Sequence, residues 1–273
     1  MTNCHDSFDV SHLPALPQLA GLAVVGTDTG VGKTVVAGAI ARNLRSNGVR
    51  VEVFKPVATG CRRLAGMLVS EDAEFLSACA DASLSLAEIA PLRFAAPAAP
   101  NVAARKQGAG VDVQAILDGY CRLAQAVQAP GRDGDDEPAC VVVEGVGGLL
   151  CPISDDFWVI HLMKMINLPL VIVARAGLGT INHTLLTLHA ARCAGLEIAG
   201  VVINGYVADA ANLGDEGIVM ETNPQQISLL GNVPILAIVP HDPSTSVENA
   251  TLGPDTTFAV SQANWQALAS LSA

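Results

Sequence analysis

GTDTGVGKT, at Gly26–Thr34, is a complete G-x-x-x-x-G-K-[ST] phosphate-binding loop. An apolar run of strand type, Leu22–Val25, precedes it, and the residues that follow, Val35–Leu44, can continue as a helix. A glycine-rich turn in that setting directs backbone N–H groups and the positive end of the helix dipole at one point, where phosphate oxygens bind. We therefore expect Lys33 to reach the β and γ phosphates of a nucleoside triphosphate and the Thr34 hydroxyl to ligate Mg²⁺. The strand and helix around the loop disfavour the alternative of a purely structural turn.

The rest of the chain alternates apolar strand-like runs with helix-compatible segments, which is typical of a parallel sheet covered by helices on both faces. The predicted strands are Leu22–Val25, Val51–Phe54, Cys140–Val143, Leu170–Ala174, Ile198–Ile203 and Ile235–Val239. The predicted helices are Lys33–Ser46, Asp72–Ala80, Val113–Gln128, Phe157–Met165, Thr180–Ala194 and Asn223–Leu230. Right-handed crossovers would bring the carboxyl ends of the strands to one edge of the sheet, where such sheets bind ligands.

The length of 273 residues fits one α/β domain with a P-loop NTPase-like fold, which we assign to residues 21–273. Residues 1–20 contain Pro14 and Pro17 and show no clear hydrophobic periodicity. We therefore interpret them as an N-terminal extension that need not be fixed against the domain. The stretch Pro91–Pro100 is predicted to be a rigid loop rich in proline and alanine.

Composition and charge exclude several classes of partner. Fifteen Lys and Arg stand against 26 Asp and Glu, and the net charge of −11 disfavours nucleic acid or an anionic membrane as the main partner. No apolar stretch reaches the roughly 18 residues of a spanning helix, and the first residues do not resemble a secretory signal. We therefore expect a cytoplasmic protein whose basic residues serve a small anionic ligand.

The strand Val51–Phe54 ends in KPVATG, which carries the Lys55 ammonium and the Thr59 hydroxyl. A surface lysine is the alternative interpretation. We favour a functional one, because Pro56 and Gly60 predict a tight turn around these polar groups, next to the nucleotide strand. Lys55 would then face negative charge that develops on a transferred phosphoryl group or on its acceptor.

Two carboxylates are candidates for a magnesium site. Glu144 follows the buried strand Cys140–Val143, and an acidic residue at that point holds Mg²⁺ directly or through water in phosphate-loop enzymes. Its alternative role is to cap a turn. Asp72, in SEDAEF, can equally be a helix cap.

Polar residues follow two further strands. Asn204-Gly205 after Ile198–Ile203 is either an amide that reads a base edge or a turn dipeptide, and the pattern does not separate the two. The segment from Gly177 to Asn182 offers exposed N–H groups and an amide that could hold a carboxylate. His183 alone is more typical of a structural hydrogen bond than of a base.

Taken in order, GTDTGVGKT, KPVATG, VEGVGGLLCPI and GLGTINHTLLT resemble the motifs of dethiobiotin synthetases over roughly Leu22–Pro240. The resemblance implies a mainly parallel seven-stranded sheet, a homodimer, and the ATP- and Mg²⁺-dependent ligation of CO₂ with 7,8-diaminopelargonic acid into a cyclic urea of biotin biosynthesis. One amine would capture CO₂ as a carbamate, which attacks the γ-phosphate; the second amine would then close the ring and expel phosphate.

The same resemblance implies a role for individual residues. Nucleotide contacts are implied for Thr29, Gly30, Val31, Gly32, Lys33, Thr34 and, at the base, Asn204. Magnesium contacts are implied for Thr34, Asp72 and Glu144, and catalytic roles for Lys33, Lys55 and Thr27. Substrate contacts are implied for Thr27, Lys55 and Thr59, and for Gly179, Thr180 and Asn182 of the neighbouring subunit.

Two positions depart from the family pattern. Gly30 stands where some members carry glutamate, which predicts a relaxed nucleotide preference, and Asn101 stands where histidine is frequent. A ParA/MinD-like ATPase switch is a rival interpretation, but its signature lysine corresponds to Asp28 here. An amidating ligase of the cobyrinic-acid type is a second rival, and it usually requires an attached glutaminase domain.

Overall fold

The computed structural model describes residues 8–130, 137–207 and 214–270. A parallel sheet of six strands occupies the middle of this part of the chain, in the order β10-β9-β8-β1-β7-β2. These strands are β1 (Gly21–Gly26), β2 (Arg50–Phe54), β7 (Ala139–Gly148), β8 (Leu170–Arg175), β9 (Ile198–Tyr206) and β10 (Ile235–Pro240). All six strands predicted from the sequence are present.

Helices cover both faces of the sheet, as predicted. They are α1 (Lys33–Ser46), α2 (Glu71–Ala80), α3 (Leu86–Ile89), α4 (Pro100–Lys106), α5 (Val113–Gln128), α6 (Val159–Ile166), α7 (Thr180–Cys193), α8 (Asp215–Gly231), α9 (Pro254–Val260) and α10 (Trp265–Leu268). Side chains of β1 alternate between two buried clusters: Ala23 and Val25 pack with α5, α6 and α7, whereas Leu22 and Val24 pack with α1, α2 and α9. Burial on both faces is what makes these strands continuous apolar runs in the sequence.

The expected seventh strand of the main sheet is not present among the described residues. The chain leaves the sheet at Lys55-Pro56, where the Lys55 N–H bonds to the Ile89 carbonyl and proline offers no donor to a ladder. The next residues form β3 (Val57–Thr59), which pairs in parallel with β6 (Leu92–Phe94) as a separate two-stranded sheet. The predicted tight turn in KPVATG is therefore wrong, because the three middle residues Val57–Thr59 form a short strand.

Several boundaries also differ from prediction. Strand β7 runs through Glu144 to Gly148, and β9 runs through Asn204 to Tyr206, so both polar residues lie inside their strands rather than after them. The stretch predicted as a Pro/Ala loop contains β6, and it ends where α4 begins with Pro100 in its first turn, a position proline favours.

Three other features were not predicted or run longer than predicted. The short strands β4 (Arg62–Leu64) and β5 (Met67–Val69) form an antiparallel hairpin. Helix α8 starts at Asp215, well before the predicted Asn223. From the N-terminal extension, Phe8 and Leu16 are buried against the α6 side of the sheet, and residues 1–7 lie outside the described part.

Among the helices that the structure describes, none has the length and apolar character needed to cross a membrane.

Candidate functional site

The phosphate-binding loop connects β1 to α1 as predicted, and glycines give it its shape. Gly30 and Gly32 have φ angles of 75° and 91°, in the left-handed region that glycine adopts without strain. Lys33 is buried, and its Nζ donates a hydrogen bond of 2.9 Å to the Asp28 carbonyl, so the side chain folds back over the loop. Its ammonium therefore lies inside the curve of the loop, next to Gly26.

Four side chains meet at the start of α1. Lys55 Nζ lies 2.6 Å from Glu144 Oε1 and 2.8 Å from Asp72 Oδ2. Thr34 Oγ1 lies 2.9 Å from the same Glu144 oxygen and 3.1 Å from Asp72 Oδ1. The structure thus brings together the lysine, the two carboxylates and the hydroxyl that the sequence singled out.

The order of the strands explains this meeting. Strands β1, β7 and β2 are neighbours, so the end of β1, Glu144 of β7 and Lys55 just after β2 lie side by side at the carboxyl edge. Asp72 reaches them from the first turn of α2, which packs against α1. The cap of α2 is Ser70, whose side chain accepts from the Ala73 N–H, so Asp72 is not the cap and is free to face the cluster.

Burial and charge set the protonation of the cluster. Burial works against the Lys55 ammonium, but Glu144 and Asp72 outweigh it and raise the pKa of Lys55. For Asp72, burial favours the neutral acid, yet Lys55 outweighs it and the pKa of Asp72 is lowered. Burial raises the pKa of Glu144 despite Lys55, and it lowers the pKa of Lys33 despite Glu144. The cluster therefore keeps Lys55 charged while holding two carboxylates next to the phosphate loop.

The donor set fits Mg²⁺. Glu144 is 1% exposed, and its second oxygen, Oε2, is buried without a hydrogen-bond partner among the described residues. Carboxylate and hydroxyl oxygens are the hard ligands that Mg²⁺ prefers, and it commonly takes only one or two carboxylates from a protein and completes its shell with water and phosphate. The described residues contain no group of three or more His, Cys, Asp or Glu that could hold a metal ion by themselves.

A cavity of about 440 Å³ opens beside the loop. Its walls come from Thr27–Thr29, from Gly147–Cys151 after β7 and from one face of α7, where His183, Leu186, Thr187 and Ala190 contribute. Leu150 and Leu186 are 49% and 60% exposed in this chain. The predicted residue Thr27 thus lies in the wall of a partly apolar cavity, and Thr59, at the end of β3, is partly buried.

The predicted residues at the start of α7 are divided between surface and interior. Gly179 has a φ angle of 87° and precedes the helix, and Asn182 is exposed. Thr180 is fully buried, and its hydroxyl has no partner among the described residues. These three residues do not line the cavity beside the loop, which α7 reaches only from His183 onward.

Comparison with known proteins finds a matching family model and similar sequences. The family model described as "AAA domain" matches residues 20–249. The ATP-dependent dethiobiotin synthetase BioD of Bacillus subtilis strain 168 is 38% identical over 222 residues, which cover 81% of this chain and 87% of that protein. The protein of the same name from Anaeromyxobacter sp. strain K is 37% identical over 237 residues, 86% of this chain and 96% of that protein.

This chain belongs to the dethiobiotin synthetase family.

Solved structures of low sequence identity support the overall fold of this dethiobiotin synthetase family member, but not its activity or the roles of its residues. The MinD cell division protein of Aquifex aeolicus superposes with a TM-score of 0.54 at 10% identity, covering 92% of this chain and 98% of that one. MinD of Pyrococcus horikoshii, complexed with Mg-ADP, gives a TM-score of 0.51 at 15% identity, with coverage of 91% and 93%. Identity of 10% and 15% to these MinD proteins, beside 38% and 37% to dethiobiotin synthetases, leaves the rival interpretation of a ParA/MinD-like switch without support.

Asn223 is a buried residue whose contact with the turn before α7 sequence reasoning missed. It is 4% exposed on α8, and its Nδ2 donates to the carbonyls of Ala176 at 2.9 Å and Gly177 at 3.3 Å, in the turn that leads to α7. In the sequence it only marked the start of a helix, and the turn it holds lies 46 residues earlier. Pairing an amide with so distant a backbone requires the tertiary structure, so no local pattern of a dethiobiotin synthetase sequence points to it.

Proposed function

We propose that this chain is an ATP-dependent cyclo-ligase, a dethiobiotin synthetase that carboxylates 7,8-diaminopelargonic acid with CO₂ and closes the cyclic urea in biotin biosynthesis. One observation carries the proposal: Lys55, Asp72, Glu144 and Thr34 form a cluster at the mouth of the phosphate loop, in which Lys55 and Glu144 are buried. A phosphate loop alone predicts only nucleotide binding. A buried lysine on the neighbouring strand adds a cation at which an anionic acceptor can be held beside the γ-phosphate.

The triphosphate would bind along the loop. Backbone N–H groups of Thr29–Thr34 and the start of α1 would cradle the phosphates, and Lys33 would exchange its bond to the Asp28 carbonyl for phosphate oxygens. Asn204 lies next to this loop and would contact the nucleobase. At Gly30 a side chain would have open space, with no atom within 4 Å of an added Cβ, and we expect the absence of a carboxylate there to relax the choice of nucleotide.

Thr34, Asp72 and Glu144 would hold Mg²⁺, with the unpartnered Glu144 Oε2 as an available ligand atom. When bound, the ion would neutralise charge on the β and γ phosphates during phosphoryl transfer. Lys55 bonds to both carboxylates and would stay charged beside them, so it can face the acceptor while Lys33 faces the phosphates.

The reaction would then proceed in the order expected for carbamate activation. One amine of the substrate adds to CO₂ and loses a proton, and Lys55 and Lys33 stabilise the resulting carbamate anion. A carbamate oxygen attacks the γ-phosphorus, and ADP leaves. The second amine attacks the carbonyl carbon of this mixed anhydride, loses a proton and expels phosphate. Both amines belong to one bound molecule, so positioning by Thr27, Lys55 and Thr59 could lower the closure barrier by about 7 kcal/mol or more.

The cavity beside the loop has an apolar wall that suits a substrate with an aliphatic chain. Its apolar wall includes Leu150 and Leu186, which remain half-exposed in a single chain. We propose that a second copy covers this wall in a homodimer, and that Gly179, Thr180 and Asn182 of that copy hold the far carboxylate. The buried Thr180 hydroxyl favours backbone N–H groups of the α7 start over its side chain in this role. We expect the enzyme to act in the cytoplasm, which supplies ATP and Mg²⁺.

The direct test is incubation of the protein with 7,8-diaminopelargonic acid, bicarbonate, ATP and Mg²⁺. Mass spectrometry should detect a product that has gained one carbonyl and lost two hydrogens, formed in step with ADP and phosphate. Omission of the diamine should suppress ADP release. Folded protein that releases ADP at the same rate with and without the diamine, and forms no cyclic urea, would refute the proposal.

A further inference from the structure

Asn204 contacts the phosphate loop directly. Its Nδ2 donates a hydrogen bond of 3.0 Å to the Val31 carbonyl. A Cβ added to the next residue, Gly32, would overlap the Asn204 amide, so the side chain packs closely against Gly32. Asn204 lies on β9, two strands away from β1 in the sheet, and its side chain spans the end of β8 to make these contacts.

This contact determines which way the Val31–Gly32 peptide faces. A trans peptide points its carbonyl and its N–H in opposite directions. With the Val31 carbonyl held by Asn204, the Gly32 N–H points away from Asn204 and is left available to an anion, as backbone N–H groups of phosphate-binding loops are. If the peptide flipped, a carbonyl oxygen would enter the anion site and repel phosphate. The left-handed φ of Gly32, 91°, leaves glycine few steric barriers to such a flip, so a bond from outside the loop is needed to hold it.

We propose that Asn204 is a positioning residue for the phosphate loop, holding the Val31–Gly32 peptide in its anion-binding orientation whichever base the nucleotide carries. The inference rests on the proposed nucleotide site and adds to it. If Asn204 only read the base, its loss would change the preference among nucleotides. As a positioning residue, its loss weakens binding of the phosphate chain itself.

The experiment compares wild-type protein with Asn204→Ala and with Asn204→Leu, which keeps most of the volume but cannot donate. Calorimetry measures binding of MgATP, MgCTP and inorganic tripolyphosphate with Mg²⁺, the last of which has no base. Asn101→Ala serves as a control, because that amide bonds to Asp155 in another part of the chain. Loss of one hydrogen bond to the loop should weaken all three ligands by about fivefold to tenfold, and tripolyphosphate, which has no base, shows whether the loss acts on the phosphate chain.

Amide hydrogen exchange of the ligand-free protein provides a second readout. Exchange at residues 28–34 should be faster in both Asn204 variants than in wild type, whereas a residue that only reads the base would leave it unchanged. Wild-type affinity for tripolyphosphate in both variants, with unchanged exchange in the loop, would overturn the inference and leave the nucleotide site intact. Wild-type protein that binds none of the three ligands would overturn the nucleotide site and this inference together.

Discussion

Lys55 Nζ and Glu144 Oε1 lie 2.6 Å apart, with the side chains only 4% and 1% exposed. Glu144 lies on β7 and Lys55 just after the neighbouring strand β2, 89 residues apart in sequence. Such a buried pair contributes little net stability compared with apolar residues of the same size, because both ions are removed from water. Its presence at the phosphate loop therefore indicates a chemical role rather than a structural one.

Removing one partner of this pair should lower the free energy of unfolding strongly, whereas replacing both partners should lower it much less. Lys55→Met leaves Glu144 buried without its nearest cation, and we expect the free energy of unfolding to fall by about 3–5 kcal/mol. The double variant Lys55→Met/Glu144→Gln should recover most of that loss while remaining inactive. Urea denaturation measures both effects. Equal stability of the single and double variants would contradict the coupling.

Lys33→Ala should separate catalysis from folding. The substitution removes the cation that would contact the phosphates, and we expect kcat to fall by roughly 100-fold to 1000-fold. Among the described residues its side chain makes one hydrogen bond, to the Asp28 carbonyl in an exposed part of the loop, so the unfolding midpoint should change little. Lys106→Ala, at an exposed lysine of α4, is the control and should keep wild-type kinetics. Retained turnover in Lys33→Ala would remove the loop from the mechanism.

Asp242 should make the free energy of unfolding depend on pH in the acidic range. Hydrogen bonds from Ser244 and the Thr256 N–H lower the pKa of Asp242 to about 2. Since this lies below the value of about 3.9 in an unfolded chain, the ionised form contributes stability that is complete above about pH 4 and lost as the pH falls towards 2.

Asp242→Asn tests this effect. It should cost about 1–3 kcal/mol at pH 7, because an amide nitrogen cannot accept from Thr256, and the difference from wild type should shrink below about pH 4. Urea denaturation across this pH range measures the effect, and Asp255→Asn on the exposed face of α9 is the matched control. A difference that is constant with pH would contradict the assignment.

Mixed subunits test whether the sites are shared. A Lys33→Ala subunit and an Asn182→Ala subunit should each be nearly inactive alone, whereas a mixed dimer should have one site in which both residues are intact. Differently tagged subunits allow the mixed dimer to be isolated and assayed. A verified mixed dimer with no recovered activity would argue that each site is complete within one chain.

The sequence predicted the parts of the site that depend on local order. The strand, loop and helix around Lys33 are contiguous, and the main-sheet strands are continuous apolar runs because both faces are buried. The rule that ligands lie at the carboxyl edge of a parallel sheet then brought Lys55 and Glu144 to the same place. Asp72 could not be separated from a helix cap until the structure gave that role to Ser70.

Contacts between distant segments were beyond such reasoning. The bond from Asn204 to Val31 spans 173 residues, and that from Asn223 to Ala176 depends on how α8 packs. The pairing of β3 with β6 was missed because three-residue strands have too few alternating positions to form a pattern.

The most direct measurement follows one oxygen atom. The protein is mixed with the diamine, MgATP and bicarbonate labelled with heavy oxygen, and the released phosphate is analysed by mass spectrometry at early times, before the label exchanges with water. The carbamate route predicts that the phosphate carries one oxygen from the labelled carbonate for each cyclic urea formed. Unlabelled phosphate released together with cyclic urea would contradict it, because the γ-phosphorus would then have been attacked by water and not by the carbamate.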